Sequence, residues 1–184
     1  MKNTAIIIPT RLAARRFPNK PLAKINNIPM IIHVLNRAKE SQVGEVYVAT
    51  PDKEIFEIVN DNGGVAILSE GDHNSGSDRV HEIYLKKLEN DVDLIINLQG
   101  DMPNIKSSCI AKLEKLMRGN GCDIGTLASD IKNTKELSNP NIVKVCTNEE
   151  LNADAFLEAK DFFRTKKNLQ KDRIYHHIGI YAFT

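Results

Sequence analysis

Two short, nearly continuous apolar runs most constrain how this chain can fold. They cover residues 5–8 and 94–98, and only Asn97 interrupts the second run. A strand with one face in water alternates apolar and polar residues, and these runs do not alternate. Both are therefore predicted to be strands buried on two faces, as in a parallel sheet that helices cover on both sides.

Amphipathic helix patterns lie between the strand patterns. Helices are predicted at residues 29–41, 53–62, 78–88 and 107–117, with Gly63 ending the second, and further strands at 46–49 and 65–68. Strand and helix thus repeat four times, which favours parallel strands joined by right-handed helical crossovers. The predicted class is α/β with a mostly parallel sheet, forming one domain over residues 1–184.

The pattern is looser after Gly121. Strands are predicted at 124–131, 142–147 and 178–183, and the polar stretch 149–173 is predicted to be a helix or a mobile excursion. The last strand pattern ends one residue before Thr184. Because a domain seldom stops inside a core strand, we expect the sequence to be the N-terminal part of a longer protein. A terminal edge strand is the alternative.

Charge and cysteine content exclude several classes of protein. Lys plus Arg is 25 and Asp plus Glu is 24, so the net charge of +1 gives no bulk attraction to nucleic acid or to an anionic membrane. No apolar run approaches the roughly 20 residues of a membrane span. Cys109, Cys122 and Cys146 form no CxxC pair, which argues against a zinc site or disulfide framework and favours a reducing cytoplasm.

A basic loop follows the first predicted strand. Four cations fall within ten residues: Arg11, Arg15, Arg16 and Lys20. In open α/β sheets, ligands bind beyond the carboxyl ends of the strands, and Arg and Lys suit phosphate oxygens. The Walker pattern and the dinucleotide fingerprint are both absent. We therefore favour phosphate binding by this loop over the alternative, a solvated charge run.

A carboxylate follows the strand at 94–98. Asp101 comes directly after Gly100, in a turn at the same edge of the predicted sheet. An Asp in this position can bind Mg²⁺, which prefers oxygen ligands and phosphate partners. The alternative is an Asp that only hydrogen-bonds its own turn. Because the two strands can be neighbours, we expect the basic loop and Asp101 to face one crevice.

Seven segments carry a more specific pattern. They are 7–11 (IIPTR), 16–22 (RFPNKPL), 48–55 (VATPDKEI), 72–80 (DHNSGSDRV), 96–103 (INLQGDMP), 139–146 (NPNIVKVC) and 177–183 (HIGIYAF). Together they resemble motifs of the 3-deoxy-manno-octulosonate cytidylyltransferases, or CMP-KDO synthetases, collinearly from residue 5 to 183. The resemblance implies a Rossmann-like, three-layer αβα nucleotidyltransferase fold.

The resemblance also implies a reaction. The anomeric hydroxyl of KDO attacks the α-phosphate of CTP with Mg²⁺ bound, giving CMP-KDO for lipopolysaccharide biosynthesis and releasing pyrophosphate. The full-length protein is implied to be a homodimer. Transfer to another sugar acid, either 8-amino-KDO or a nonulosonate, is one alternative. A non-catalytic nucleotide-binding fragment or degenerate relative is another.

Site residues follow from the same motifs. Triphosphate binding and catalysis are implied for Arg11, Arg16 and Lys20, and metal binding and catalysis for Asp101. The cytidine contacts implied are Pro9, Thr10, Ser75, Gly76 and Ser77. Gln99 and His177 are implied to contact the sugar acid. From the residues alone, Ser75 would equally be the N-cap of a helix, and Lys144 either supports the substrate carboxylate or forms a structural salt bridge.

The sequence departs from the family pattern at several positions. Met102 replaces a Glu beside the metal turn, Asn19 replaces a Gly before Lys20, and hydroxyl residues of the family are Ala14 and Arg15 here. Asn tolerates left-handed backbone geometry, so its substitution is mild. An SRAxIP motif is not recognisable within 151–173. The family's second metal-binding Asp is expected beyond Thr184, and whether the sequence as given is active or inactive without it stays open.

Overall fold

The computed structural model describes residues 3–13, 17–153, 155–165 and 173–184. The chain divides into two compact units. The first contains Met1–Gly125 and Ile180–Thr184, and the second contains Thr126–Gly179.

The first unit is built on a parallel sheet. Its elements are β1 Thr4–Pro9, a 3-10 helix Lys20–Leu22, β2 Lys24–Ile25, β3 Ile28–Pro29, α1 Met30–Glu40, β4 Glu45–Thr50, α2 Lys53–Asp61, β5 Val65–Leu68, α3 Gly76–Lys87, β6 Leu94–Asn97 and α4 Ser107–Asn120. The parallel strands lie in the order β5-β4-β1-β6, and the end of β10 (Arg173–Phe183) pairs antiparallel with β6. The predicted α/β class with a mostly parallel sheet is confirmed.

The central strand is buried on both faces. Ala5 and Ile7 of β1 share a core cluster with Val80 of α3. Ile6 and Ile8 point to the opposite face because side chains alternate along a strand, and both are fully buried. Elsewhere in the first unit, α1 contacts β4 and packs against α4. Helices on both faces explain why the strand carries a continuous apolar run.

The four predicted helices are present with small changes at their ends. The fourth extends to Asn120, and Gly121 follows it in the left-handed conformation with φ of 60°. The second ends at Asp61, and Gly63 has a φ of 71°. Both glycines therefore act as stop signals, because a left-handed residue ends a helix at little cost only when it lacks a Cβ.

A close approach of two backbones fixes the start of β4. A Cβ atom on Gly44 would lie 1.8 Å from the carbonyl oxygen of Thr4 at the start of β1. Ala5 and Glu45, the next residue of each segment, are paired in the parallel ladder. The β1–β4 pairing, which is central to the sheet, therefore requires a glycine at position 44.

The second unit contains short antiparallel strands. Its elements are most of β7 Ile124–Ser129, α5 Thr134–Ser138, β8 Lys144–Thr147, β9 Asp161–Phe163 and the first part of β10. β8 pairs with β10 on one side and with β9 on the other, both antiparallel. The helix expected within 149–173 is not found in the described part of that stretch, which contains β9 and, at Arg173, the first residue of β10. Among the described residues of the chain, no helix is long and apolar enough to cross a bilayer.

Candidate nucleotide-binding site

A pocket of about 230 Å³ lies in the first unit, at the carboxyl ends of three strands. Three connections line it: residues 9–11, 20 and 21 after β1, 73–76 and 79 after β5, and 99–101 after β6. A volume this size far exceeds the ~30 Å³ of a water molecule, so it suits an organic ligand. The basic loop and the Asp101 turn, which the sequence analysis placed in one crevice, meet in this pocket.

An ion pair joins the two predicted halves of the site. Lys20 Nζ lies 2.6 Å from Asp101 Oδ2, and the two side chains are 35% and 51% exposed. Asn19, just before Lys20, is left-handed with φ of 56°, the geometry for which the family carries glycine. Both charges are accessible from the pocket, so an incoming anion and an incoming cation can each replace one member of the pair.

The turn that carries Asp101 is pressed against the end of β1. A Cβ on Gly100 would lie 3.1 Å from Thr10 Cβ and 3.2 Å from the Pro9 carbonyl oxygen. The beginning of the basic loop is also fixed, because the Leu12 amide donates to Asp52 Oδ2 at 2.8 Å. The start of the basic loop is therefore held in a fixed position relative to the sheet.

The start of α3 borders the pocket. Ser75 is its N-cap: Ser75 Oγ accepts from the Asp78 amide, and Asp78 Oδ2 accepts from the Ser75 amide. Ser75 thus has the capping role that the sequence allowed, and it also lines the pocket together with Gly76. Ser77 is not among the lining residues; its hydroxyl accepts a hydrogen bond from Asn97.

Arg79 is a cation of the pocket that the sequence analysis did not identify. Its side chain is 5% exposed and its Nε donates to Ser69 Oγ at 3.0 Å. Burial lowers the pKa of Arg79, and the positive charge of Arg11 lowers it further. With Lys20, these residues make the pocket cationic. The one indication in the sequence that Arg79 is buried was its position next to Val80, a residue of the apolar face of α3.

A carboxylate organises the connection between β5 and α3. Glu82 accepts from the Glu70 amide and from Lys86, and its Oε2 lies 2.7 Å from His73 Nε2. Although burial opposes ionisation, the hydrogen bonds from Lys86 and from the Glu70 and Gly71 backbone outweigh it and lower the pKa of Glu82 to about 2. His73 lines the pocket, so an ionised Glu82 holds one pocket wall in place.

His177 lies in the second unit. It is 8% exposed, its Nε2 lies 3.0 Å from Thr126 Oγ1, and its ring meets Phe162 edge-on at 5.1 Å. Burial lowers the pKa of His177, and the neighbouring His176 adds to the effect. The two histidines differ in burial as adjacent strand residues do. A neutral His177 is therefore favoured.

Lys144 is a buried cation that uses all three of its ammonium hydrogens. Its Nζ donates to the carbonyl oxygens of Asn139 at 2.7 Å, Ile142 at 2.9 Å and Arg164 at 2.5 Å. Burial lowers the pKa of Lys144, and the charge of Arg164 contributes. Within the described residues its acceptors are carbonyl oxygens, so the structural salt bridge offered as an alternative is not found there. Lys144 thereby connects residues 139–142 to Arg164, which directly follows β9.

Arg16, which the resemblance implied to bind triphosphate, lies outside the described residues.

Within the described ranges, no cluster of three or more His, Cys, Asp or Glu side chains could hold a metal ion by protein ligands alone. In the pocket, Asp101 is the one carboxylate among the lining residues, so a metal there would need oxygen ligands from a substrate.

The sheet, with a cationic pocket at its carboxyl edge, defines a nucleotide-binding α/β protein. The family model described as cytidylyltransferase matches residues 5–184. Curated 3-deoxy-manno-octulosonate cytidylyltransferases from Brucella canis (strain ATCC 23365 / NCTC 10854 / RM-666) and Rhodopseudomonas palustris (strain BisB5) are 41% and 42% identical. Each alignment covers 98% of this chain, and 72% and 73% of the respective relative.

A solved structure matches this chain in fold. The structure of CMP:2-keto-3-deoxy-manno-octonic acid synthetase complexed with CTP superposes with a TM-score of 0.85 and 36% identity, over 99% of this chain and 74% of that one. The chain belongs to the cytidylyltransferase family and is a nucleotidyltransferase. The resemblance to the 3-deoxy-manno-octulosonate cytidylyltransferases is thereby confirmed.

Proposed function

We propose that this enzyme transfers a cytidylyl group from CTP to 3-deoxy-manno-octulosonate, giving CMP-KDO and pyrophosphate. The observation that supports the proposal is the Lys20–Asp101 pair, an ammonium and a carboxylate 2.6 Å apart at one pocket, which suit a phosphate and a metal ion respectively. Relatives about 41% identical bear the name of this activity. They support KDO as acceptor over 8-amino-KDO or a nonulosonate, and an enzyme over a non-catalytic binding module.

The triphosphate is assigned to the cations. Arg11 and Lys20 line the pocket, and Arg79 lies at its inner wall. A guanidinium can grip two phosphate oxygens and an ammonium supplies a point charge. By its motif, Arg16 serves the same triphosphate. Their summed charge offsets the negative charge that develops as pyrophosphate leaves, which is the main way such transfers are accelerated.

Magnesium is assigned to Asp101. Its carboxylate is half-exposed and borders the cationic pocket. One or two carboxylates completed by substrate phosphates and water is the usual environment of protein-bound Mg²⁺, so the residues present fit the ion. When bound, Mg²⁺ neutralises phosphate charge and polarises the α-phosphate for attack. With the ion present, Asp101 would hold it and Lys20 would bind the triphosphate.

The remaining contacts concern the base and the sugar acid. Pro9, Thr10, Ser75 and Gly76 line the pocket and are assigned to the cytidine. Ser77, whose motif implied a cytidine contact, is not a lining residue and is hydrogen-bonded to Asn97 instead. Gln99 borders the pocket and is assigned to the sugar acid. The same acid is assigned to His177 on its motif. Free cysteines at positions 109, 122 and 146 fit the proposed cytoplasmic location.

The direct test is pyrophosphate release by the purified chain with CTP, KDO and Mg²⁺. We expect release that requires all three components, and CMP-KDO detected by mass spectrometry as the second product. UTP and N-acetylneuraminate serve as matched controls for the base and the acid. Turnover of neuraminate at the rate of KDO, or CTP binding without any turnover, would contradict the proposal.

Lys20→Ala is expected to raise the KM for CTP about 10- to 100-fold, because a charged hydrogen bond to phosphate is lost. The fold should be unaffected, since the exposed pair with Asp101 adds at most ~1 kcal/mol to stability. Initial rates at varied CTP measure the effect. Lys24→Ala is the matched control: Lys24 is exposed, four residues on and not among the pocket residues. Equal KM values for the two variants would remove Lys20 from the triphosphate site.

A further inference from the structure

A buried amide lies directly behind the pocket. Asn97 is the last residue of β6 and is 0% exposed, inside an otherwise apolar run. Burying an amide in such a place costs free energy unless each polar atom is hydrogen-bonded. An apolar residue would fit the strand pattern better, so the contacts of Asn97 must account for its presence.

Both polar atoms of Asn97 are engaged. Its Oδ1 accepts from Gln99 Nε2 at 2.8 Å, and its Nδ2 donates to Ser77 Oγ at 3.2 Å. Asn97 thus bridges the first turn of α3 and the turn after β6. Asn97 is not itself a lining residue of the pocket, and it reaches the lining through its hydrogen bond with Gln99.

The bridge determines which end of the Gln99 amide is offered to a ligand. Because Nε2 is bound to Asn97, the carbonyl oxygen Oε1 lies toward Gly76: a Cβ there would be 3.5 Å from it. Gly76 and Gln99 both line the pocket. A fixed carbonyl oxygen accepts hydrogen bonds, so this wall is suited to a ligand hydroxyl or amino hydrogen and not to a carboxylate or phosphate oxygen.

We propose that Asn97 is a positioning residue, which holds Gln99 with its carbonyl oxygen presented to a hydroxyl of the sugar acid. The inference rests on the proposed function, in which Gln99 contacts that substrate. Ser77 supports the arrangement by accepting from Asn97, which gives this serine of the DHNSGSDRV segment a role one layer behind the ligand.

A double-mutant cycle tests the proposal. Asn97→Leu keeps the number and branching of the side-chain heavy atoms and removes both hydrogen bonds; we expect the KM for KDO to rise about 10-fold or more, with the KM for CTP changed less than about two-fold. In a Gln99→Ala background the same substitution should change the KM for KDO by less than about two-fold. Equal effects in both backgrounds would show that Asn97 acts independently of Gln99 and overturn the inference.

Ser77→Ala covers the case in which Asn97→Leu does not fold. It removes one anchor from an exposed position and should raise the KM for KDO about two- to five-fold, an effect absent when Gln99 is alanine. Thr147→Val is the matched control, since Thr147 is a 5%-exposed polar residue that ends β8 and donates its hydroxyl to the backbone carbonyl of Glu149. It should lower stability without changing either KM. A KM shift for Thr147→Val equal to that of Asn97→Leu would count against the proposal.

Failure of the proposed function and failure of the positioning role give different experimental results. Wild-type enzyme that releases no pyrophosphate contradicts the proposed function itself. In that event the cycle is measured on KDO and CTP dissociation constants by calorimetry. Coupling between positions 97 and 99 in KDO binding supports the positioning role, and additive effects or an unchanged dissociation constant overturn it.

Discussion

Asp101→Asn is expected to lower kcat about 10²- to 10³-fold or more and to abolish the dependence of the rate on Mg²⁺ concentration. The substitution keeps the shape of the side chain and removes the charge that would hold the cation. Losing one well-placed electrostatic contact to a reacting group typically costs this much. Pyrophosphate release at varied Mg²⁺, with saturating CTP and KDO, gives the measurement.

The fold should tolerate this change, because the Asp101 side chain is 51% exposed and its pair with Lys20 is a surface contact. Asp61→Asn is the matched control: Asp61 is exposed at the end of α2 and lies outside the pocket. It should have wild-type kinetics. An Asp101→Asn enzyme that retains a Mg²⁺-dependent rate near that of wild type would exclude the proposed metal role.

Gly44→Ala is expected to have the largest effect on stability. The added methyl group would lie 1.8 Å from the Thr4 carbonyl oxygen, a backbone atom held by the sheet, so β1 or β4 must move. A cost of about 2–4 kcal/mol is expected for such overpacking. For a chain of this size that corresponds to a fall in Tm of roughly 5–15 °C, measured by thermal denaturation.

Gly119→Ala is the control for the same chemical change. Gly119 lies in α4, a Cβ there would meet nothing within 4 Å, and its φ is not positive. Alanine in a helix is favoured over glycine, so this variant should be unchanged or up to ~1 kcal/mol more stable. If both alanine variants melt within about 1 °C of wild type, the close approach of β4 to Thr4 does not constrain the sheet.

The elements that the sequence revealed best are those whose burial is intrinsic to the pattern. β1 and β6 are visible because apolar residues continue without alternation, and α2 is visible because a clear apolar face ends at Gly63. The convergence of the basic loop with Asp101 followed from one rule about parallel sheets. These predictions need no knowledge of which particular side chains touch.

Other elements depend on partners that a local pattern does not contain. β9 has only three residues, two of them exposed, and it is a strand because β8 lies beside it. β2 and β3 form a short hairpin whose Asn26 and Asn27 have φ of 49° and 64°. Their Asn-Asn turn was a usable signal that the sequence analysis overlooked, since Asn favours the left-handed region that such turns need.

Individual site residues were hardest to predict where burial decides their role. Arg79 reads as an ordinary helix cation, and only its packing against Ser69 shows it to be a buried charge of the pocket. In the sequence, Asn97 is simply a polar interruption of an apolar strand. The sequence left two alternatives for Lys144, and neither of them included the three backbone carbonyls that it binds.

The pocket is assembled from three connections that leave different strands of one rigid sheet. The connection after β1 carries Arg11 and Lys20, the connection after β5 carries His73 and leads to Ser75, and the connection after β6 carries Asp101. Loops on a fixed scaffold change more freely than the scaffold does. Under the proposed assignments, the first connection supplies the phosphate contacts and the middle connection supplies part of the base contacts. Exchange of the middle connection is then expected to alter the base preference while the phosphate contacts are kept.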